Sequence, residues 1–386
     1  MLQSRLDNAA HPVRQAEVSE KAVKDKYVFI APWRVQAGTG VNNVMVGLSD
    51  AMRGEYEPII VVTDWSEAVA GQISVKMPEP RLPIRNFLGF VLRLVPNSIR
   101  LWRLTRGAAV VNAHYFGTSI VPLVWLRKLR LAPKLIFSVH GADVTAALQA
   151  GWLEKKLYRW IYGSADVIIA CSDALGKLVS EVSPGSNVKT VWNGVIGPPA
   201  QVGHRPMAPP YLVSVAAFVP KKAHDVVLRA FREIYQGFPD LRLVMIGSDG
   251  PERNRVGELI VDLGLETRVD VHVDVPHEEV WTWVRHAECF VHAPWEEPFG
   301  IAILEAALVR TPVVVTAVGG VPEFLRDGVD GLTCEPGRPD QLSEKVRNVL
   351  THRQQAERRA MAFYEKALKF TWSAAWEKYK GVSGLG

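Results

Sequence analysis

Residues 294–306 read Pro-Trp-Glu-Glu-Pro-Phe-Gly-Ile-Ala-Ile-Leu-Glu-Ala, and this stretch decides the fold. The apolar run Cys289–Ala293 before it predicts a strand, and Pro298-Phe299-Gly300 is a suitable opening for a helix. The β-branched run Pro312–Thr316 predicts a second strand of the kind that parallel sheets bury. A glycine pair at 319–320 then opens another helix. A strand, a tight turn and a helix start thus occur twice in succession, which is typical of an α/β protein.

Each helix start in this stretch offers unpaired backbone N–H groups and the positive end of a helix dipole, which suits a phosphate. Two carboxylates frame the first helix, Glu297 before it and Glu305 within it. Their backbones lie up to about 12 Å apart at a rise of about 1.5 Å per residue. The carboxyl groups of a hydrolytic acid–base pair lie only about 5–9.5 Å apart. The spacing therefore favours an extended ligand with hydroxyls at both ends and phosphates between them, such as a nucleotide-sugar.

The segment Glu297-Pro298-Phe299-Gly300, together with Glu305, resembles the E-x7-E motif of the retaining GT-B glycosyltransferases, the large GT4-like group. Gly-Gly-Val-Pro-Glu at 319–323 and Asp-Gly-Val-Asp-Gly at 327–331 follow in the family's order. The resemblance implies an α/β fold of the GT-B type, with two facing Rossmann-like domains and a cleft between them.

The resemblance also implies roles for individual residues. Glu297 would contact the donor sugar as a catalytic residue, and Glu305 would bind the ribose hydroxyls. The turn amides would reach the sugar and the diphosphate; the turn consists of Phe299, Gly300 and Ile301. The ordinary alternative is that Glu297 caps the helix dipole and that Glu305 is a solvated helix residue.

Length and composition place the chain among soluble globular proteins. Its 386 residues suffice for two or three domains, and 48% of them are hydrophobic and 22% charged. The three cysteines, Cys171, Cys289 and Cys334, are far apart and lie in or beside apolar runs, which predicts buried thiols in a reducing cytosol. We interpret the polar residues 1–26 as an N-terminal arm that carries no secretory signal. No apolar stretch is long enough to span a bilayer.

The charge is distributed unevenly. Arg81–Ala142 contains eight Arg and two Lys but no Asp or Glu, so that we expect an anionic partner on one face. Arg81–Arg106 alternates arginines with Leu, Phe and Trp, a pattern that suits the surface of a membrane. The arginines assigned to an acceptor or a membrane are Arg85, Arg93, Arg100 and Arg103. In the family this region often docks on anionic membranes or grips a lipid-linked acceptor. An ordinary pair of core-packing helices is the alternative, and nucleic acid is disfavoured because no nucleic-acid motif accompanies the charge.

The first strand, Tyr27–Pro32, is followed by a glycine turn at Gly38-Thr39-Gly40 and by a helix over Val41–Met52. A dinucleotide site would need a third glycine, and Asn43 at that position argues against NAD. The turn resembles the family loop that faces the donor phosphates or the acceptor, which assigns Gly40 to that site. A plain tight turn is the alternative.

Two further buried strands, Ala109–His114 and Lys134–His140, each end in a histidine. Ligands of open α/β sheets bind at the carboxyl ends of the strands. The second strand continues as His140-Gly141-Ala142-Asp143 and resembles the family's H-G-x-D segment. The resemblance implies that His140 approaches the donor sugar as a catalytic residue. The alternative for both histidines is a structural role.

The proline- and glycine-rich segment Ile196–Pro210 is interpreted as an interdomain linker. We therefore expect an N-terminal acceptor domain over residues 27–196 and a C-terminal donor domain over 208–369. Phe370–Tyr379 resembles the family's terminal helix, so that residues 370–386 are expected to cross back onto the N-terminal domain.

The start of the donor domain departs from the family pattern. Relatives usually carry an arginine and a lysine that clamp the donor diphosphate. Lys222 matches that lysine, but Ala217 stands where the arginine belongs. Losing a fork-shaped diphosphate contact weakens donor binding, and the adjacent Lys221 compensates only as a point charge. The turn Asp274–Pro276 corresponds to the one that reads the nucleobase through its backbone, so that a uridine donor cannot be told from a guanosine donor.

The resemblance, carried by these residues, implies a retaining, metal-independent hexosyltransferase that uses a UDP- or GDP-sugar and needs no cofactor. The chain has no Asp-x-Asp triplet that could hold a diphosphate-binding metal. The expected acceptor is a lipid-linked or otherwise anionic glycan intermediate of polysaccharide or glycoconjugate synthesis, at the inner face of the cytoplasmic membrane.

Other classes remain open. A non-catalytic nucleotide-sugar-binding subunit of a glycan assembly complex fits the missing arginine. A sugar-nucleotide epimerase shares the cleft architecture, as does a glycogen-type phosphorylase, although the latter needs a longer chain and a lysine for pyridoxal phosphate.

Overall fold

The structure, a computed structural model, describes residues 25–33, 35, 40–63, 72–75, 84–200, 202–208 and 210–385. Most of the expected N-terminal arm lies outside the described residues, as do Gly38, Thr39 and Arg81. The described chain forms two α/β domains, each built on one parallel sheet, and this confirms the predicted fold class. Within these ranges no helix combines the length and the apolar character that a bilayer-spanning helix needs.

The N-terminal domain is built on a seven-stranded parallel sheet with the order β3-β2-β1-β4-β5-β6-β7. Its strands are β1 Asp25–Ala31, β2 Tyr56–Val62, β3 Gln72–Ser74, β4 Ala108–His114, β5 Lys134–Val139, β6 Val167–Ala170 and β7 Val188–Thr190. The chain winds outward in both directions from β1 and β4, which are neighbours. A crevice therefore opens at the carboxyl ends of these two strands, where doubly wound sheets bind ligands.

The C-terminal domain is built on a six-stranded parallel sheet with the order β10-β9-β8-β11-β12-β13. Its strands are β8 Tyr211–Val215, β9 Arg242–Gly247, β10 Val269–Val273, β11 Cys289–His292, β12 Val313–Thr316 and β13 Leu332–Cys334. Here the point of reversal lies between β8 and β11. Both strands predicted from the apolar runs at Cys289 and Pro312 are present, and all residues of β11 and β12 are buried.

Helices cover the faces of both sheets. They are α1 Gly40–Ala51, α2 Ile84–Thr105, α3 Val121–Lys128, α4 Ala142–Gln149, α5 Trp152–Tyr162, α6 Asp173–Val182, α7 His224–Ile234, α8 Arg253–Asp262, α9 His277–Arg285, α10 Ile301–Leu308, α11 Val321–Phe324, α12 Pro339–Thr351, α13 Arg353–Ala367 and α14 Trp372–Ser383. Short 3₁₀ turns lie at Thr118–Ile120 and Pro220–Lys222. The basic segment forms a single helix, α2, with Pro96 inside it, rather than a pair of helices.

The turn that opens α10 is held by backbone contacts. Gly300, just before the helix, has a φ of 104°, which only glycine adopts readily. The backbone N–H of Gly320 donates to the carbonyl oxygen of Glu297 at 3.0 Å. A Cβ atom on Gly319 would lie 2.1 Å from that same carbonyl oxygen. The second glycine turn therefore packs directly on the first, and no larger residue fits between them.

The last helix, α14, packs on the N-terminal domain. Trp376 and Tyr379 are buried in one cluster with Tyr27 and Phe29 of β1. The rings of Tyr27 and Trp376 meet edge to face with their centroids 5.6 Å apart. Burying side chains of this size stabilises the fold by roughly 1.5–3 kcal/mol each, so that α14 ties the end of the chain to its first sheet.

Glu323 of α11 links the two domains. Its carboxylate accepts hydrogen bonds from the backbone N–H groups of Asp173 and Ala174 at 3.1 and 2.9 Å. It also accepts a hydrogen bond from Nε1 of Trp192 at 2.9 Å. Asp173 and Ala174 begin α6, whose first N–H groups lack partners within the helix, so that the carboxylate caps a helix of the opposite domain.

We expect Glu323→Ala to lower the free energy of unfolding by about 1–3 kcal/mol, because it leaves these donors without their acceptor. Urea denaturation followed by circular dichroism measures the change. Glu357→Ala, at an exposed position on α13, is the matched control and should change stability little. An equal effect of the two substitutions would contradict the interdomain role of Glu323.

Candidate active site

A cleft of about 950 Å³ lies between the two domains, at the carboxyl ends of both sheets. Its N-terminal wall includes Trp33, Tyr115, His140 and Asn193. Its C-terminal wall includes Ala217, Lys221, Lys222, Asp274–His277, Glu297–Ala302 and Glu305. The strand order reverses between β1 and β4 in the first sheet and between β8 and β11 in the second. These two points face each other across one cavity.

Glu297 is buried in the C-terminal wall, with 8% of its surface exposed. Its Oε2 atom accepts a hydrogen bond from Nζ of Lys222 at 2.6 Å and from Nε2 of His292 at 2.8 Å. Burial by itself would raise the pKa of Glu297, but the Lys222 ammonium and the His292 hydrogen bond hold it far below the usual range. Glu297 is therefore a fixed negative charge. It is neither exposed nor bonded as a cap to α10.

The two adjacent lysines occupy different positions. The interpretation of Lys222 as a diphosphate clamp meets a competing contact, because its ammonium is already bonded to Glu297 and its side chain is only 17% exposed. Lys221 also lines the cleft, and no carboxylate of the described residues lies within ion-pair distance of it. Burial and the neighbouring Lys222 lower the pKa of Lys221. Ala217 also lines the cleft.

Glu305 lies on α10 and is also buried, with 9% of its surface exposed, so that the solvated alternative is wrong. Its Oε1 atom accepts a hydrogen bond from Nε2 of His277 at 3.0 Å. That hydrogen bond raises the pKa of His277. His277 begins α9 directly after the turn Asp274–Pro276, so that the predicted ribose ligand and the predicted base-reading turn are adjacent.

His140 and His114 form a stacked pair at the ends of β5 and β4. Their ring centroids lie 5.2 Å apart, and Nδ1 of His114 lies 3.0 Å from Nε2 of His140. Burial lowers the pKa of His140 to about 4. Burial and His140 lower the pKa of His114 well below its usual value. Both rings are therefore neutral near pH 7, and His140 faces the cleft as a hydrogen-bonding group rather than as a cation.

The loop after His140 touches the turn that carries Glu297. The Asp143 carboxylate accepts hydrogen bonds from the backbone N–H groups of His140 and Gly141, which fixes the loop. Gly141 has a φ of 116°, and a Cβ atom there would lie 2.3 Å from Cγ of Pro298. Glycine at this position therefore allows His140 and Glu297 to approach each other across the cleft.

The structure does not bring every predicted residue to the cleft. Arg93, Arg100 and Arg103 are exposed on α2 and are absent from the described lining. Arg85 also lies on α2, and Gly40 is the first residue of α1. The described residues include no group of three or more His, Cys, Asp or Glu side chains that could hold a metal ion.

Sequence reasoning missed four residues of the site: His277, His292, Trp33 and Tyr115. His292 and Tyr115 end or directly follow buried strands, which is the one signal that could have selected them. Trp33 follows β1 in the same way. Nothing in the pattern of residues indicates that His292 meets Glu297 or that His277 meets Glu305.

Sequence comparisons with known proteins identify the family of this chain. The sequence profile of "Glycosyltransferase Family 4" matches residues 38–196, and that of "Glycosyl transferases group 1" matches residues 200–368. D-inositol 3-phosphate glycosyltransferase of Corynebacterium diphtheriae is 30% identical over 302 residues, 71% of this chain and 70% of that protein. Glycogen synthase of Mycobacterium tuberculosis is 26% identical over 286 residues, 71% of this chain and 67% of that protein.

Solved structures show the same fold. Sucrose-phosphate synthase of Thermosynechococcus elongatus superposes with a TM-score of 0.76 at 18% identity, covering 93% of this chain and 98% of that one. HepE of Anabaena, determined in complex with UDP, has a TM-score of 0.76 at 16% identity, covering 94% and 100%. The chain belongs to the GT4-like group 1 glycosyltransferases and has the GT-B fold. It is a glycosyltransferase.

The His277–Glu305 pair predicts a pH dependence of stability. The pKa of His277 is raised in the folded state, so that the contribution of the pair is fully present below the unfolded value of about 6.5. It is lost as the pH rises through the higher folded value. We therefore expect His277→Gln to lower the melting temperature more at about pH 6 than at about pH 9.

Scanning calorimetry of the wild type and the variant at both pH values measures this difference. His204→Gln, at an exposed position of the linker, is the control and should show no such trend. A deficit of His277→Gln that grew with pH would contradict the assigned interaction.

Proposed function

We propose that this chain is a retaining hexosyltransferase that moves a sugar from a UDP- or GDP-sugar to a glycan or lipid-linked acceptor. The observation that carries the proposal is the arrangement of the cleft. Glu297, Glu305, Lys221 and the start of α10 lie on one wall, and His140 lies on the other. A nucleotide-sugar fits the first wall, and an acceptor hydroxyl arriving from the second would meet its sugar end.

The proposed nucleoside site rests on two groups that are adjacent in the structure. The turn Asp274–Pro276 and Glu305 are brought together by the hydrogen bond from His277. A nucleoside needs a site for its base next to a site for its ribose. Among the described residues of the cleft, this is the place where the two proposed sites are adjacent. HepE, a structural neighbour, was determined with UDP bound, which supports a uridine donor as the first to test.

The diphosphate would lie between the ribose site and Glu297, at the start of α10. Helix N-termini bind anions through unpaired backbone N–H groups. Lys221 adds a positive charge there, and a bound diphosphate would in turn favour its charged form. We propose that these groups stabilise the charge that develops on the leaving nucleotide, without a metal ion.

Transfer would proceed on one face of the sugar. The bond between the anomeric carbon and the diphosphate oxygen breaks, and the acceptor oxygen bonds to the same face. The acceptor proton passes to the departing diphosphate oxygen. Glu297 would hold the sugar hydroxyls and His140 the face where the acceptor arrives. This scheme needs no enzymic nucleophile and retains the configuration.

The acceptor is proposed to carry negative charge and to lie at an anionic membrane surface. Helix α2 exposes an apolar stripe of Leu92, Val95 and Ile99, of which 68, 64 and 46% are exposed. The exposed Arg93 and Arg100 lie beside this stripe. A helix of this kind lies in the interface of an anionic bilayer. The relative from C. diphtheriae is named for a phosphorylated acceptor, which also favours an anionic acceptor here.

A second candidate is a non-catalytic nucleotide-sugar-binding subunit of a glycan assembly complex. Ala217 and the bond between Lys222 and Glu297 favour it, because together they remove two family contacts to the diphosphate. Binding of a nucleotide-sugar without turnover on any acceptor would support this candidate over the enzyme.

Calorimetric titration with UDP and with GDP tests the donor site. We expect one nucleotide to bind, and Ala217→Arg to tighten its binding about tenfold by restoring a charge-assisted contact. Lys221→Ala should weaken binding by a similar factor. Lys177→Ala, at an exposed position on α6, is the matched control. If neither nucleotide bound to the wild type or to Ala217→Arg, the donor site and the proposed function would both be wrong.

Vesicle sedimentation tests the membrane surface. We expect the wild type to bind vesicles that contain phosphatidylglycerol, and a variant with Arg85, Arg93, Arg100 and Arg103 changed to Gln to bind them at least about tenfold more weakly, because each basic residue contributes about 1 kcal/mol at such a surface. The matched control changes four exposed arginines of the C-terminal domain to Gln: Arg229, Arg253, Arg255 and Arg358. Equal binding of the vesicles by the two variants would contradict the proposed membrane-binding surface.

A further inference from the structure

An aromatic corner of two rings, Trp33 and Tyr115, lies in the N-terminal wall of the cleft. Trp33 follows β1 and Tyr115 follows β4, the neighbouring strands at which the first sheet reverses direction. The ring centroids lie 4.6 Å apart at an angle of 65°. Nε1 of Trp33 donates a hydrogen bond to Oδ1 of Asn42 at 3.0 Å, which holds the indole in place. The corner is thus built at the position where a doubly wound domain binds its ligand.

The backbone of Tyr115 is strained. Its φ of 49° lies in the left-handed region, which a bulky aromatic residue rarely adopts. Tyr115 is only partly buried, so that core packing does not account for the strain. Strained residues at the wall of a ligand cleft are typical of binding sites. The ring of Tyr115 lies against that of Trp33.

Asn193 adds a polar group beside the corner. It lines the cleft, only 5% of its surface is exposed, and its side chain makes no hydrogen bond to any described residue. Its amide atoms are not among the buried polar atoms of the described residues that are sealed from solvent without a partner, so that the amide is open to the cleft and a ligand or water can reach it. Its amide can both donate to and accept from a hydroxyl group.

The described lining of this wall carries no charged side chain. Apart from the corner and Asn193, it consists of Asn43, Val44, His140 and Cys171. The His140 ring is neutral near pH 7 because burial lowers its pKa to about 4. Among the described residues, the lysines that line the cleft, Lys221 and Lys222, belong to the opposite wall.

A pyranose ring combines the features that this wall matches. One face of the ring consists of C–H groups and packs on an aromatic ring, while its edge carries hydroxyls for an amide. An acyl chain would leave Asn193 without a partner. A nucleobase would also stack, but the proposed base site lies on the other wall, at Asp274–Pro276.

We infer that the acceptor unit that receives the sugar is an uncharged pyranose, stacked on the Trp33–Tyr115 corner with a hydroxyl bonded to Asn193. The inference rests on the proposed glycosyltransferase function and specifies its acceptor. Any negative charge of the acceptor then lies outside this part of the cleft.

Saturation-transfer NMR of the UDP- or GDP-loaded protein tests the inference without knowledge of the donor sugar. The probes are methyl α-D-glucopyranoside, methyl α-D-mannopyranoside and methyl β-D-galactopyranoside, with glycerol 3-phosphate as a charged probe that has no ring. We expect saturation of the ring C–H protons of at least one glycoside. Trp33→Ala and Tyr115→Asn should weaken this binding at least about tenfold, the loss expected when a stacking contact of about 1.4 kcal/mol or more is removed.

The variants are chosen to keep the fold. Asn tolerates the left-handed backbone at position 115, and Trp33→Phe retains a ring and should bind with intermediate strength. Trp152→Ala removes an indole that is 71% exposed on α5 and does not line the cleft, so that it should bind the glycoside like the wild type. Titration of each variant with UDP and GDP checks that its donor site is intact.

The outcomes separate the inference from the function on which it rests. If the wild type binds a nucleotide but no glycoside, or if Trp33→Ala and Tyr115→Asn bind the glycoside as the wild type does, the inference is wrong and the donor function stands. Binding of the glycoside to the nucleotide-free protein that is lost when UDP or GDP is added would place the glycoside in the donor half and also overturn the inference. If the wild type binds neither nucleotide, the proposed function fails and the inference fails with it.

Discussion

The buried carboxylate of Glu297 is the constraint on which the active site depends. A charge removed from water is tolerated only when it is paired and hydrogen-bonded. Lys222 and His292 supply both partners on one oxygen. Lys222 lies in the 3₁₀ turn that follows β8, and His292 is the last residue of β11. The strands β8 and β11 are neighbours because the strand order of the second sheet reverses between them. Loss of either partner would leave the buried carboxylate with only one of its two hydrogen bonds. The bond to Lys222 therefore holds the turn before α10 against the 3₁₀ turn at Pro220–Lys222.

The backbone around Glu297 connects this constraint to the other domain. Gly320 donates to its carbonyl oxygen, and Pro298 meets Gly141 of the N-terminal domain. Glu323, three residues after Gly320, then caps α6 across the domain boundary. These contacts between turns add to an apolar core cluster that includes residues of both domains, among them Phe137 and Phe299. Small residues are needed where these turns approach, since a Cβ atom would separate them.

The two walls of the cleft differ in charge. The C-terminal wall holds Lys221, the Lys222–Glu297 pair and the start of α10, which suits a diphosphate. The described N-terminal wall holds neutral rings and amides. This distribution of charge favours an anion on the C-terminal wall, which is consistent with the proposed diphosphate site. Because Lys222 is bonded to Glu297, the proposal assigns the main positive charge of the diphosphate site to Lys221.

By itself the sequence determined the parts of this protein that local pattern encodes. The buried runs at Cys289 and Pro312 became strands, and Pro298-Phe299-Gly300 opened α10. The GT-B fold was implied by the resemblance of the segment from Glu297 to Glu305 to the family motif. Only the tertiary structure decided which side chains meet. His292 meets Glu297 within the turn that follows β11, and His277 at the start of α9 meets Glu305 of α10. Trp33 and Tyr115 form one corner because β1 and β4, neighbouring parallel strands far apart in the chain, end at the same edge of a sheet. Strand order is set by packing of the whole domain, and no local pattern records it.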